Sequence, residues 1–450
     1  NYLFNYLPFR MSLNKIKNNI LLVAWASMSS MNAQGYSLDN CIESALEAKK
    51  TVLSAQIGVL SAKKGLKGSY SDLLPFIQVT TGVGKTQFAK QEAFQLDYNN
   101  LSAGLSLSQK IYSGGRSLNQ VKQAKSSLEI EKLNQRIVKT QVIGNVIKSY
   151  YGLLKSQKLM TVAEKNLEMS EQQVSIVNEK FDLGVIKRSD LLKAQVAQGQ
   201  AKVDVLNKRI AFENSRRNLF NDMGLQDFGQ TINAIDEDWV MPSIPSSSQI
   251  LDLLRTQNPS ILISKARITL SELSYKMIKG LRLPSLNSSI NYSANGENSD
   301  QLINAIKDDW RLGVNLSLSM PIFSGNSLSI QQQQAKISTQ QMDYSYVTLL
   351  NDLKVQAELI GESLNNYAEI IPLNRAVVAS AQEDLKLVRE RYSLGSATIV
   401  DVLDAQVSEI SSSSALINTI HDARMQQADL KALLGTLDIE YQTKEEYYVK

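Results

Sequence analysis

Few residues in this 450-residue chain can carry reactive chemistry, and their spacing excludes most of it. There is one histidine, His421, and one cysteine, Cys41. That supply cannot assemble an ordinary zinc site. A single His on a helical stretch, with no marked nucleophile beside it, makes no Ser-His-Asp set either. GVGKT at 82–86 looks like the end of a phosphate-binding loop, but that motif needs Gly at position 79, where the chain has Val79. What remains is a carboxylate pair. Asp401 and Asp404 stand three apart in VDVLDA, at the start of a helical pattern. There they either favour the helix dipole or offer negative charge to cations. The pattern predicts no enzyme activity, no cofactor and no metal site.

The elements around that pair are written twice. LSLSQKIYSGG (105–115) returns as LSLSMPIFSGN (316–326), and EKFDLGVIKRSDLLKAQ (179–195) as RERYSLGSATIVDVLDAQ (389–406). At this offset of 211, Gly184 pairs with Gly395, Asp190 with Asp401 and Gln195 with Gln406. Upstream the offset is 209, pairing LLP (73–75) with RLP (282–284). A period this long is an internal duplication rather than a solenoid. The copies run over 37–223 and 250–434, joined by a Gly-, Pro- and Ser-marked linker at 224–249 and followed by a tail at 435–450.

Residues 1–33 read as upstream residues and a signal peptide: Met11 as the start, Lys15 and Lys17 ahead of the apolar run 20–28, and Ala33 before the cut. A run this short cannot cross a bilayer, which takes about 20 residues. Cys41 lies beyond it without a lipobox, and a lone Cys forms no intrachain bridge, so it is expected to pack in the first short helix. Of 48 Lys and Arg, three (Arg10, Lys15, Lys17) belong to this leader, against 44 Asp and Glu, so no basic surface argues for nucleic acid.

Each copy opens with helical patterns, at about 38–72 and 249–282, the second broken at Asn258-Pro259. Pro75 and Pro284 end them. Strand pairs are predicted at about 75–110 and 284–321, with Leu101, Ala103, Leu105 and Leu107, and Leu312, Val314, Leu316 and Leu318, on one face and Ser, Gly and Asn on the other. Such alternating strands of about ten residues suit a tilted membrane crossing. The polar segments 86–99 and 294–309 are expected to be the outer loops. Four strands leave two open edges that cannot face lipid. Either other copies of the chain close the sheet, three giving twelve strands, or these are hairpins of a soluble protein.

Long helical hairpins follow at 116–223 and 327–434. Val146, Leu153, Met160, Leu167, Val174 and Phe181 recur every seven residues, and so do Ala357, Leu364, Ile371, Val378, Leu385 and Tyr392, as in a coiled-coil seam. The first helix is on the order of 100 Å long at 1.5 Å per residue. An interior Pro372 predicts a local bend.

Signal peptide, duplication, PIFSG-type junctions and RYSLG followed by VDVLDA resemble the TolC-like outer membrane efflux proteins, across essentially all of 37–434. The resemblance implies a mainly α fold with a small transmembrane β part. Internally duplicated helical hairpins and strand pairs would build a trimeric 12-stranded β-barrel continued by a long α-helical barrel. It implies a homotrimer in contact with outer membrane lipid, with its helical part in the periplasm of a Gram-negative bacterium. Such a protein is the passive exit duct of a tripartite efflux or type I secretion system. A periplasmic adaptor would join it to an inner membrane pump or secretion ATPase. By motif, Asp401 and Asp404 match an acidic ring at the periplasmic aperture, Tyr392 and Asp190 match aperture links, and Gly184, Val185, Gly395 and Ser396 would be adaptor-contacting tips. Ala397 stands where the family pattern implies an Arg bonding across to the first hairpin, so the resemblance leaves gating to Tyr392 with Asp190, or to Lys187 and Arg188. Rival readings are a periplasmic adaptor, which needs flanking domains absent from this pattern, and a structural coiled-coil protein of the envelope, which leaves the strands unexplained.

Overall fold

Four long helices stop in the same way, and the stops repeat at the duplication offset. In this computed structural model, Gly184, Gly224, Gly395 and Gly435 all adopt positive φ, from 73° to 78°. Each donates back to a last-turn carbonyl, and its successor reaches one residue further: Gly184 to Phe181 and Val185 to Lys180, Gly395 to Tyr392 and Ser396 to Arg391. These are Schellman closures, which need a residue without a Cβ in the left-handed region.

The structure describes residues 37–87, 98–226, 234, 236 and 239–442. The expected signal peptide, most of the first outer loop, part of the linker and the end of the tail lie outside them. In chain order the elements are α1 (Leu38–Ala48), α2 (Lys50–Ser69), a 3₁₀ turn (Tyr70–Leu73), β1 (Phe76–Thr86), β2 (Tyr98–Ser113), α3 (Arg116–Asp182) and α4 (Arg188–Met223). The second copy supplies α5 (Ser247–Thr256), α6 (Pro259–Gly280), β3 (Ser285–Gly296), α7 (Ser299–Asp308), β4 (Arg311–Ser319), α8 (Ser327–Ser393) and α9 (Ile399–Leu434), and a short α10 (Leu437–Gln442) follows. The helix assignment runs through Pro372 without a break. One expectation is corrected: the segment 294–309 is not a plain polar loop, because β3 extends to Gly296 and α7 occupies most of the rest.

The chain divides into two units, one formed by residues up to Ala48, Asn145–Met241 and Ile371–Asp422, the other by Lys49–Gly144, Pro242–Ile370 and the chain from Ala423 onward. In the second unit the strands form one antiparallel sheet in the order β1-β2-β3-β4. Its register sets Val79 opposite Leu105, Leu105 opposite Tyr292, and Tyr292 opposite Leu312. Ile77, Leu107, Ile290 and Val314 line up in the same way, so one face is a continuous apolar band. Away from the end that α7 covers the band is open: Val79 is 71% and Val314 72% exposed. A bulge at Ile111 lets β2 outrun the predicted strand and keep pairing to Ser113, whereas β4 stops at Ser319, just ahead of Pro321.

Junctions are tight. A Cβ on Gly114 would lie 2.2 Å from the Gly280 carbonyl oxygen, and one on Gly280 2.5 Å from that of Gly114. Lys110 and Ser117 both donate to Asp72 of the 3₁₀ turn, at 2.7 and 3.1 Å. At the far end of this unit, Asn258 caps α6 through Ile261 N–H (3.0 Å) and donates to the Leu433 carbonyl (2.6 Å). Arg136 spans both oxygens of Asp438 at 2.8 and 3.2 Å and the Gly435 carbonyl at 3.1 Å.

The first unit packs Tyr150, Leu153, Leu219, Phe220 and Met223 out of water, and Cys41 and His421 are each fully buried. His421 lies against Tyr151, ring to ring at 6.3 Å, as a packing residue. The predicted seam holds in part. Val146 and Leu153 are buried, and on α8 so are Ala357, Leu364, Ile371, Leu385 and Tyr392, but further along α3 the buried positions include Ser156, Ala163, Ser170 and Val177. Those are the second set of a heptad, three residues on from the predicted one.

The Asp438 side chain is fully buried, so losing its cation should be costly. Arg136→Met is expected to destabilise the second unit by about 3–5 kcal/mol, as for other buried pairs broken on one side, and Asp438→Asn by less. Thermal melting of the detergent-purified protein checks both.

Candidate functional site

The residues that the sequence marks converge where the two hairpins end. Both reversals sit in the first unit. Leu183–Lys187 joins α3 to α4 and Leu394–Thr398 joins α8 to α9. Between them lies a small core of Val177, Ala194, Tyr392, Ile399 and Val402, bordered by Leu191, Val388 and Ala397. Ala397 therefore packs on this core, in the place where the resemblance implies an arginine.

Tyr392 is 7% exposed, and its hydroxyl has no hydrogen-bond partner among the described residues. Burial, and after it the charge of Asp190, pushes the phenol above its ordinary value. The structure thus makes Tyr392 and Asp190 electrostatic neighbours but does not join them by a hydrogen bond. The cross-link that it does show is Lys180. The Lys180 ammonium donates to the Tyr392 backbone carbonyl at 2.9 Å and lies 4.3 Å from the centre of its ring. A cation at the last turn of α8 gives a second donor to a carbonyl that already accepts from the Gly395 N–H, and offsets the negative end of the helix, and the ring face adds to the attraction. Nothing in the sequence marks this contact, since Lys180 matches no motif. Its duplicate Arg391 stays local, reaching toward the Ser396 carbonyl at 3.4 Å. Lys187 and Arg188 are both exposed.

Asp401 has a defined local task. Its carboxylate accepts from the Thr398 N–H (2.7 Å) and hydroxyl (2.8 Å), and its own N–H donates to the Thr398 hydroxyl oxygen at 3.3 Å. This is a reciprocal cap of α9. The backbone and side-chain bonds from Thr398, with the nearby Arg391, hold the carboxyl below the usual range. Asp404 is exposed one turn further along α9. Gly184, Val185, Gly395 and Ser396 lie in the reversals themselves, beside Leu183 and Leu394, which are 78% and 83% exposed. One turn into the bundle, Gln406 is buried and donates to the Asn166 side chain (2.5 Å) and to Ser170 (3.1 Å), a polar key in the α3–α9 seam. A groove of about 750 Å³ runs alongside, lined by Leu192, Val196, Leu403, Val407 and Ile410 among others.

A sheet with an exposed apolar band and long helical hairpins in duplicate suit a membrane-associated protein. The comparisons agree. The profile of the outer membrane efflux protein family matches residues 41–225 and 250–436, and the chain belongs to that family. The outer membrane protein TolC of Vibrio cholerae is 23% identical over 394 residues, spanning 84% of this chain and 85% of that protein. The cation efflux system protein CusC of Escherichia coli O157:H7 is 22% identical over 404 residues, 88% of this chain and 85% of its own. Among solved structures, CusC superposes with a TM-score of 0.80 at 18% identity, over 90% of this chain and 95% of that one. The CmeC outer membrane channel of Campylobacter jejuni gives 0.78 at 18% identity, over 93% and 94%. The protein is an efflux component of the Gram-negative outer membrane, and its work is transport.

The cap of α9 should depend on pH. Because the folded carboxyl of Asp401 is lowered, its stabilisation is complete above the ordinary Asp value of about 3.9 and is lost as the pH falls through the lower folded value. Amide exchange around residues 398–402, corrected for intrinsic rate, should rise only in that acid window. Thr398→Ala should raise it at neutral pH as well.

Proposed function

We propose that three copies of this chain close one twelve-stranded barrel and continue as a helical tunnel, gated where the hairpins end. The carrying observation is the sheet: four strands, one bare apolar face, and two outer edges, β1 and β4, with no partner strand among the described residues. In hydrocarbon every backbone group must be paired within protein, and identical copies joined head to tail meet that need when the rotation closes.

Exposed apolar rows support the same assembly. Leu192, Val196, Val203, Leu206 and Ile210 follow a heptad spacing along α4, and Ile330 and Ile337 stand seven apart on α8. Neighbouring protomers would cover them, together with the groove beside α4. Leu183, Val185 and Leu394, with Gly184, Gly395 and Ser396, would meet a periplasmic adaptor, which in turn would join the duct to an inner membrane pump or secretion ATPase. The wall offers polar Ser, Asn and Gln rather than a shaped pocket, so choice of cargo would rest with the inner membrane partner. Asp401 and Asp404 from three protomers would form an acidic ring that attracts cations at the aperture. Lys180, by tying the end of α3 to the end of α8, would supply the cross-hairpin tie that Ala397 cannot.

Planar-bilayer recording of the purified protein tests this reading. Small cation-selective currents are expected, and Asp401→Asn with Asp404→Asn should abolish the selectivity. Thr398→Ala, which removes the cap but no charge, should leave selectivity intact. Lys180→Met keeps the side-chain stem and deletes the tie, and should enlarge the conductance. Absence of current from a protein that is not a stable trimer would overturn the reading.

A further inference from the structure

The helix α7 lies against the apolar face of the sheet, at the end remote from the strand-to-helix junctions. Three observations fix that face. Tyr292, Ala294 and Gly296 alternate onto the apolar side of β3, in line with Leu286 and Ile290. Ala294 is 2% exposed, and a Cβ on Gly296 would lie 2.4 Å from the Leu302 backbone nitrogen, so the helix backbone rests directly on the strand there. The Tyr292 hydroxyl donates to the Ile306 carbonyl at 2.5 Å, and its ring stacks on Trp310 at 5.6 Å.

With Leu302 and the buried Ala305 turned to the sheet, the outer surface of α7 divides in two. Ile303 and Ile306 on α7, with Trp310 two residues past its end and stacked on Tyr292, form an exposed apolar stripe that runs into the band below. Asp300, Asn304, Lys307 and Asp308 form the other side. A short helix with one apolar and one charged side, aromatic residues at its edge, and a seat at the end of a lipid-facing band has the chemistry of an interfacial element.

We propose that α7 is a lipid-contacting helix, seated in the outer leaflet at the external end of the barrel wall, with Ile303, Ile306 and Trp310 in the acyl region and Lys307 and Asp308 toward water. The proposal rests on the reading of the sheet as a membrane wall. Its consequence is that the second outer segment does not arch over the barrel mouth but braces the wall from the lipid side.

The test places single bimane-labelled cysteines in the full-length protein with Cys41→Ala, reconstituted in liposomes. The sites are Ile303→Cys, Ile306→Cys, Lys307→Cys and, in the band itself, Val314→Cys. Labels at 303, 306 and 314 should lose most of their fluorescence to nitroxide-bearing lipid and little to aqueous iodide, and the label at 307 the reverse. If 314 reports lipid while 303 and 306 report water, α7 projects into solvent; the proposal fails and the wall stands. If 303 and 306 are shielded from both quenchers, a neighbouring protomer covers the helix and the proposal also fails. If 314 itself does not report lipid, the wall reading falls, and the proposal falls with it.

Discussion

A backbone N–H or C=O placed in hydrocarbon has no water to turn to, and leaving it unpaired costs several kcal/mol. Most of what is unusual in this chain answers that constraint. Within the sheet the ladder is continuous from β1 to β4, and the bulge at Ile111 lets β2 stay paired with β3 up to the junction. Only the outer edges are unfinished. A soluble protein would blunt such edges with charge or cover them; here β1 and β4 carry Ile77, Val79, Val83, Val314, Leu316 and Leu318 in the open. Joined to copies of itself, such a sheet would have no edge left, which is the assembly proposed above.

Duplication reproduces backbone geometry more faithfully than side-chain partnership. The left-handed glycines recur at the offset of 211: Gly114 with Gly325, Gly184 with Gly395, Gly224 with Gly435. Side chains at the same offset diverge. Lys180 reaches across to the second hairpin while Arg391 stays by its own turn. Gln406 is buried in a polar key while Gln195 is exposed. Asp401 closes a reciprocal cap with Thr398; its counterpart Asp190 starts α4 behind Lys187, which makes no side-chain cap. The reason is geometric. A turn is satisfied by its own residues, so both copies need the same glycine. A cross-hairpin contact has two different ends, and one copy must supply each.

The same distinction governs what could be read from the sequence. Strand alternation, the Gly reversals, the break at Asn258-Pro259 and the packed states of Cys41 and His421 depend on local pattern, and the structure bears them out. The heptads were legible only where the seam is filled by large apolar residues. Ser156, Ala163 and Ser170 seal the other half of the seam on α3, and small or polar residues carry no hydropathy signal however well they pack. The helix α7 escaped because its stripe is short and lies within a polar segment, although Asn298 at its start, bonded to the Gln301 N–H at 2.9 Å, is a legible cap. Lys180 could not have been found at all: its role exists only once the second hairpin is beside it.

That tie also bears on how a closed end could open. The core joining the two reversals is small, five buried side chains, and one of them hides a hydroxyl with no partner among the described residues. An unsatisfied buried hydroxyl costs roughly 1–3 kcal/mol, a sizeable share of what a cluster of this size contributes. Lys180 offsets part of that cost by holding the Tyr392 carbonyl and ring face while leaving the hydroxyl unpaired. An arrangement that brought Asp190 onto that hydroxyl, or released it to water, would relieve the penalty. In the gate proposed above, that relief would lower the preference that a docking partner must supply to shift the balance.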